Sequence, residues 1–110
     1  MMAQVYDLYG AMNFSMNELR GEVEKVVGIK FDLHDSAYRG GEYFRAGALG
    51  GEEFVIQLNH FEFEGEPEIA EPQYSDYPVI LQVAWTERGD DLRKKLRDIA
   101  GLEFLRRKSR

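Results

Sequence analysis

The apolar run from Val79 to Trp85 constrains the fold more than any other feature of the sequence. Only Gln82 interrupts it, and its other side chains are β-branched, aliphatic or aromatic. A strand with one face in water alternates polar and apolar residues, whereas a strand buried on both faces reads as a nearly continuous apolar run. We therefore expect residues 79–85 to form a central strand of a sheet.

Alternation of polar and apolar residues predicts the other strands. It is clearest from Glu52 to Asn59, where every second residue from Phe54 to Leu58 is large and apolar. Leu49-Gly50-Gly51 should join this strand to the preceding one as a hairpin. In the first strand we expect Tyr6 and Leu8 to face the core. The remaining predicted strands are residues 4–9, 29–33, 42–48 and 102–105.

Two helices are indicated by apolar residues at helical spacing. The first is predicted at residues 16–27, because Ser15 and Glu18 form a capping-box pattern before an apolar stripe. Gly28 can adopt the left-handed conformation that ends this helix. A second amphipathic helix, ending at Gly101, is indicated by Leu92, Leu96 and Ile99.

The order of elements predicts an α+β fold. The pattern β-α-β-β-β-β-α-β most simply forms a single mainly antiparallel sheet with two helices packed on one face. The chain of 110 residues has the length of one ordinary domain, so residues 1–105 are predicted to form a single globular domain. Residues 106–110, which include four cations, are predicted to be a basic C-terminal tail.

The segment from His60 to Pro78 interrupts this pattern. It contains all three prolines of the chain and Gly65, so we expect most of it to be loop. An extension of the preceding strand through Phe61 and Phe63 is the open alternative. A loop of this length is unusual in a compact domain, and this directs attention to its function.

The distribution of charge is the main clue to that function. The net charge is −6, but residues 46–87 contain no lysine or arginine at all. The same stretch contains nine acidic residues, which are Glu52, Glu53, Glu62, Glu64, Glu66, Glu68, Glu71, Asp76 and Glu87. A surface that serves only solubility usually mixes its signs, so this stretch favours an acidic surface that binds a basic partner.

The predicted binding residues lie within the long segment. Four of its glutamates are spaced two apart, which would put them on the same side of an extended chain. Tyr74 and Tyr77, on either side of Asp76, could supply aromatic anchors, or they could fold back onto the core. A solvated loop that only aids solubility is the other open interpretation. The partner-binding prediction comprises Glu62, Glu64, Glu66, Glu68, Glu71, Tyr74, Asp76 and Tyr77.

No pattern in the sequence indicates catalysis or a bound cofactor. His34, Asp35 and Ser36 are adjacent in a strand-to-turn segment and cannot converge as a nucleophilic triad. No metal-ligand spacing surrounds His34 or His60, and the glycine pairs lack the residues of a phosphate-binding loop. We therefore expect no enzyme activity, no metal and no cofactor.

Composition and charge indicate the class of the partner and the cellular compartment. The acidic body of the chain repels nucleic acid, and no apolar stretch is long enough for a signal peptide or a membrane span. The chain has no cysteine, which fits a reducing compartment. The expected partner is accordingly a protein, and the expected location is the cytoplasm.

Several short motifs resemble those of small bacterial immunity proteins. They are Tyr6-Asp7-Leu8-Tyr9-Gly10, the S-x-Y-x-G-G-x-Y pattern from Ser36 to Tyr43, Leu58-Asn59-His60, the segment from Tyr77 to Leu81, and Gly101-Leu102 followed by Phe104-Leu105-Arg106. Immunity proteins of this group are the cytoplasmic inhibitors paired with contact-dependent growth-inhibition or polymorphic toxins. The resemblance spans most of the chain and includes no catalytic motif.

The resemblance implies a function that agrees with the charge distribution. Many toxins of such systems are nucleases, which tend to be cationic because their substrate is a polyanion. An acidic immunity protein would bind such a toxin domain and neutralise it. Two other classes stay open at this point: a small regulatory or adaptor domain, which could pair with itself through a sheet edge, and a small enzyme using His34, Tyr38, Arg39 or His60.

Overall fold

The computed structural model describes residues 3–47 and 50–109. The predicted end of one strand at Ala48, the hairpin residue Leu49 and the last tail residue, Arg110, lie outside the described residues. The helices are α1 (Met16–Val27) and α2 (Gly89–Leu96). The strands are β1 (Val5–Ala11), β2 (Asp32–Ser36), β3 (Gly41–Gly47), β4 (Glu53–Leu58), β5 (His60–Phe63), β6 (Glu66–Ile69), β7 (Val79–Thr86) and β8 (Leu102–Ser109).

The main sheet has six strands in the order β2-β3-β4-β7-β1-β8, and every neighbouring pair is antiparallel. β7 lies inside the sheet. Its consecutive residues Ile80 and Leu81 point to opposite faces, and both are completely buried. Leu19 of α1 and Leu92 of α2 join one core on one face of the sheet. The predicted α+β class, with one main antiparallel sheet and two helices, is confirmed.

The two faces of β1 are not arranged as expected. Tyr9 and Ala11 belong to the core beneath the helices, whereas we expected Tyr6 and Leu8 on that side. Leu8 is nevertheless completely buried, and on the same face of the strand the ring of Tyr77 lies against Gly10. Since both faces of this strand bury apolar residues, alternation alone could not identify the face that carries the helices.

The ends of α1 follow the sequence prediction. The hydroxyl of Ser15 accepts a hydrogen bond of 3.1 Å from the backbone N–H of Glu18, and the Glu18 carboxylate accepts one of 2.9 Å from the N–H of Ser15. Gly28 ends the helix with a φ of 82°. α2 is shorter than expected: it ends at Leu96, and Ile99 reaches the core from the turn that follows. Neither helix within the described residues is long and apolar enough to cross a membrane.

The last strand is longer than predicted. β8 continues to Ser109 instead of ending at Leu105, and it pairs with β1 along its length. Arg107 lies opposite Asp7 in this pairing, and the two side chains form an ion pair of 2.8 Å. Residues 106–109 are therefore part of the sheet and not a tail, because β1 and its buried carboxylate provide both backbone and charge partners.

The interactions of the Glu24 carboxylate determine how one part of the stability depends on pH. The backbone N–H of Phe31 donates to Glu24 at 2.9 Å, and Arg20 donates to the same carboxylate at 2.8 Å. The hydrogen bond from Phe31 lowers the pKa of Glu24 most, and Arg20 lowers it further against the opposing effect of burial. A depressed folded-state pKa stabilises the protein above the unfolded value of about 4.3, and this stabilisation is lost as the pH falls through the folded-state pKa.

Replacing Glu24 by glutamine should therefore destabilise the protein by about 1 kcal/mol at pH 7 and by much less at pH 3. Protonation of the native carboxyl removes the same interaction, so the two proteins converge in acid. Urea unfolding at both pH values, followed by the fluorescence of Trp85, would measure this. Glu22→Gln on the same helix is the control, and an equal deficit at both pH values would contradict the assignment.

Candidate functional site

Residues 60–69 form a β-hairpin where the sequence predicted mainly loop. β5 and β6 pair with each other in a separate two-stranded sheet. Glu64 and Gly65 form the turn, with φ angles of 53° and 82°, and two successive positive φ angles define a type I′ turn. We call residues 60–69 the acidic hairpin. The loop prediction relied on the prolines of this segment. It was wrong because Pro67 lies in a strand of a two-stranded sheet, where its missing N–H is tolerated.

The four glutamates of the acidic hairpin are all exposed. Directly paired residues share a face of the hairpin, so Glu66 lies beside Phe63 and Glu68 beside Phe61, while Glu62 lies on the other face beside Pro67. The expectation that the four glutamates lie on one side is wrong, because the turn at Glu64 reverses the chain. The carboxylates instead project from both faces and the tip of the hairpin.

Aromatic contacts hold the acidic hairpin against the short turn at residues 37–39. The ring of Phe63 lies 5.0 Å from the ring of Tyr38, measured between centroids. Phe61 packs so closely on Gly40 that a Cβ atom added at Gly40 would lie 2.5 Å from the Cβ of Phe61. Two residues of the S-x-Y-x-G-G-x-Y pattern noted in the sequence, Tyr38 and Gly40, therefore form the surface on which the hairpin packs.

Asn59 anchors both ends of the long segment. It is completely buried, and its side-chain amide donates hydrogen bonds of 2.9 Å to the carbonyls of Tyr74 and Tyr77. Its side-chain oxygen accepts a hydrogen bond of 2.9 Å from the backbone N–H of Glu71. Its own backbone pairs with Ala70 and Pro78. Asn59 interrupts the strand pattern and thereby turns the chain out of the main sheet into the hairpin.

Of the other predicted binding residues, Glu71, Tyr74 and Tyr77 have contacts within the protein, and Asp76 is exposed. Glu71 forms an ion pair of 2.9 Å with Arg106. The ring of Tyr77 lies against Gly10, and its hydroxyl donates to Glu103, which raises the pKa of Tyr77. The hydroxyl of Tyr74 donates to the carbonyl of Leu105 at 3.3 Å. Both tyrosines thus fold back onto the sheet, one of the two alternatives left open by the sequence.

Three of the nine acidic residues of the cation-free stretch are compensated by arginines from outside it. Glu71 pairs with Arg106, and the other two pairs are Glu52 with Arg88 at 2.7 Å and Glu53 with Arg45 at 3.0 Å. The hydrogen bonds from Arg88 lower the pKa of Glu52. Across residues 3–47 and 50–109, the six acidic residues of the stretch that form no ion pair are Glu62, Glu64, Glu66, Glu68, Asp76 and Glu87.

Both histidines have structural contacts. The ring of His34 stacks on Tyr43 at 5.6 Å between centroids, and Nε2 of His60 lies 2.6 Å from the carbonyl oxygen of Ser75. Asp35 and Ser36 follow His34 in β2, where successive side chains point to opposite faces. Among the described residues, no three histidine, aspartate or glutamate side chains come together as metal ligands.

Trp85 is a surface feature that the sequence did not reveal. Its side chain is 36% exposed and its backbone φ is 55°, an outlier for a bulky residue. Val5 pairs with Thr86 and Asp7 with Val83, so Tyr6 alone lies opposite both Ala84 and Trp85, which form a β-bulge. No sequence signal could have found this bulge, because it exists only in the pairing with β1.

No protein-family model matches the chain, and no curated protein or solved structure shows significant similarity to it. The geometry and charge of the acidic hairpin, together with the short motifs of the sequence, are therefore what support a function.

Proposed function

We propose that the protein is a cytoplasmic immunity protein that binds a basic toxin domain through the acidic hairpin. The observation that carries this proposal is the exposure of Glu62, Glu64, Glu66 and Glu68 without an ion pair in the described parts of the chain. The resemblance to small immunity proteins supports a toxin as the partner. The charge of the hairpin supports the basic character of the surface it contacts.

Electrostatics favour a cationic partner in two ways. Carboxylates held on one short hairpin repel one another in the free protein, and a cationic surface would relieve that repulsion. A concentrated negative potential also raises the rate of encounter with a basic protein by about 10-fold to 1,000-fold at low salt. A nuclease toxin would present such a surface, because it binds a polyanion.

Co-expression is the direct test of this function. We expect the neighbouring reading frame to encode a large secreted protein, and the C-terminal domain of that protein is the partner to use. The domain should stop growth when expressed alone, and co-expression of this protein should restore growth. Persistent toxicity, with both proteins present at comparable levels, would reject the proposal.

Reversing charge on the acidic hairpin should slow association with that domain. Glu62→Lys combined with Glu66→Lys should lower the association rate by at least about tenfold at low salt and flatten its salt dependence. Stopped-flow fluorescence over a series of salt concentrations would measure both effects. The control is Asp91→Lys combined with Asp98→Lys, which makes the same change in net charge at two exposed positions, one in α2 and one in the turn that follows it. Equal slowing by both double variants would exclude a specific role for the hairpin.

Self-association through a sheet edge, the adaptor alternative, has less support. β2 and β8 are the two edges of the main sheet. Each edge carries side-chain charges of mostly one sign, which are Asp32 and Asp35 on β2 and Arg106, Arg107 and Lys108 on β8. Like charges at a sheet edge oppose such pairing. Light scattering should accordingly find a monomer.

A further inference from the structure

The β-bulge in β7 brings Trp85 beside Tyr6. The two rings meet edge to face, with centroids 6.4 Å apart. A bulge re-aims a side chain that regular alternation would send elsewhere, and a left-handed conformation is costly for a bulky residue. Strained, exposed aromatic residues of this kind are concentrated at functional surfaces. The position of this indole therefore calls for a functional explanation.

Trp85 and Tyr6 form part of a cleft of about 390 Å³, which is also lined by Glu71, Arg106, Lys108 and Ser109. We call it the Trp85 cleft. Trp85, Lys108 and Ser109 are exposed, so the cleft is open to solvent. It combines two aromatic rings with polar groups at its border, and aromatic and arginine side chains are the residues that dominate binding energy at protein interfaces.

The charge of the Trp85 cleft is opposite to that of the acidic hairpin. Arg106 forms one ion pair with Glu71, and its buried Nε has no hydrogen-bond acceptor among the described residues. Lys108 is exposed, and no ion pair of this residue occurs within the part of the chain that the structure describes. The lining thus holds two cations and one carboxylate, an excess positive charge in a protein of net charge −6.

We propose that the Trp85 cleft binds an acidic segment of a protein partner. A carboxylate of that segment pairs with Lys108 and the guanidinium of Arg106, while an adjacent aromatic or aliphatic side chain packs against Tyr6 and Trp85. This inference does not depend on the proposed function, because it is argued from the aromatic rings and cations of the cleft and not from the hairpin.

A short peptide tests the cleft without the natural partner. The probe is acetyl-Gly-Glu-Phe-Glu-Gly-amide, and its charge-reversed counterpart carries lysine in place of both glutamates. Trp85 is the only tryptophan of the chain, so its emission reports on the cleft directly. The acidic peptide should change this emission saturably, with a dissociation constant of about 1 mM, and the lysine peptide should not.

Charge variants identify the contact residues. Lys108→Glu should weaken binding of the acidic peptide by at least about tenfold, whereas Lys95→Glu, which makes the same charge change on α2, should alter it by less than about twofold. Glu62→Lys combined with Glu66→Lys should leave it intact, which separates this site from the hairpin. Equal effects of the two lysine variants, or no saturable signal, would overturn the proposal. So would a signal that depends only on protein concentration, since a second copy would then occupy the cleft.

Trp85→Gly tests the role of the indole. Glycine adopts a positive φ without strain, so the bulge and the charges should persist while the aromatic wall is lost. Calorimetric titration with the acidic peptide should show no binding, while the circular dichroism spectrum stays that of a folded protein. Retained binding in the folded variant would show that the indole is not part of the site.

Discussion

Replacing Asn59 by leucine should lower the free energy of unfolding by about 4 kcal/mol. The Asn59 side chain is completely buried and makes three hydrogen bonds to the backbone of residues 71, 74 and 77. Leucine has a similar volume but removes the partner of the Glu71 N–H and of the Tyr77 carbonyl, while the Tyr74 carbonyl keeps only its hydrogen bond from the N–H of Tyr77. Each buried polar group left unpaired costs about 1–3 kcal/mol, which is more than the added apolar contact can offset.

Urea unfolding followed by Trp85 emission would measure this loss. Asn13→Leu is the matched control, because Asn13 is exposed and should change stability by less than about 0.5 kcal/mol. Residues 70–78 should also exchange their amide hydrogens faster in Asn59→Leu than in the native protein, since this residue holds them against the sheet. A loss below about 1 kcal/mol, or unchanged exchange, would show that the segment is held mainly by Tyr74 and Tyr77 instead.

Replacing Arg107 by methionine should lower the free energy of unfolding by about 3–5 kcal/mol. Asp7 is only 1% exposed, and Arg107 donates to its two carboxylate oxygens at 2.8 and 3.0 Å. Without the guanidinium, a buried carboxylate in β1 has lost its counter-charge. The second ion pair of Arg107, to Asp90, contributes little, because Asp90 is largely exposed to solvent.

A double-mutant cycle separates the ion pair from packing. Asp7→Leu added to Arg107→Met should recover most of the lost stability, because two apolar side chains can replace a buried ion pair at small cost. Arg97→Met, at an exposed position after α2, is the control and should be nearly neutral. Additive losses in the double variant would contradict the role assigned to the pair and would indicate that packing around Gly89, which contacts both side chains, dominates instead.

The candidate site was predictable in its charge but not in its shape. The absence of cations from residues 46–87 marked the acidic segment, and all four glutamates of the hairpin are indeed exposed. Pairing with distant arginines was not predictable, because Arg88 and Arg106 reach Glu52 and Glu71 only through the fold. The same is true of Trp85, whose exposure results from a bulge between two strands far apart in the chain.

The sequence by itself determined what depends on neighbouring residues. Periodicity specified the central strand β7, the capping box specified the start of α1, and their order indicated an antiparallel α+β fold. The tertiary structure alone decided which face of β1 meets the helices, that residues 106–109 join the sheet, and that Asn59 turns the chain into a separate hairpin. The local sequence pattern indicates whether a side chain prefers water or the protein interior. Which residues it contacts in the interior depends on segments that are distant in the chain.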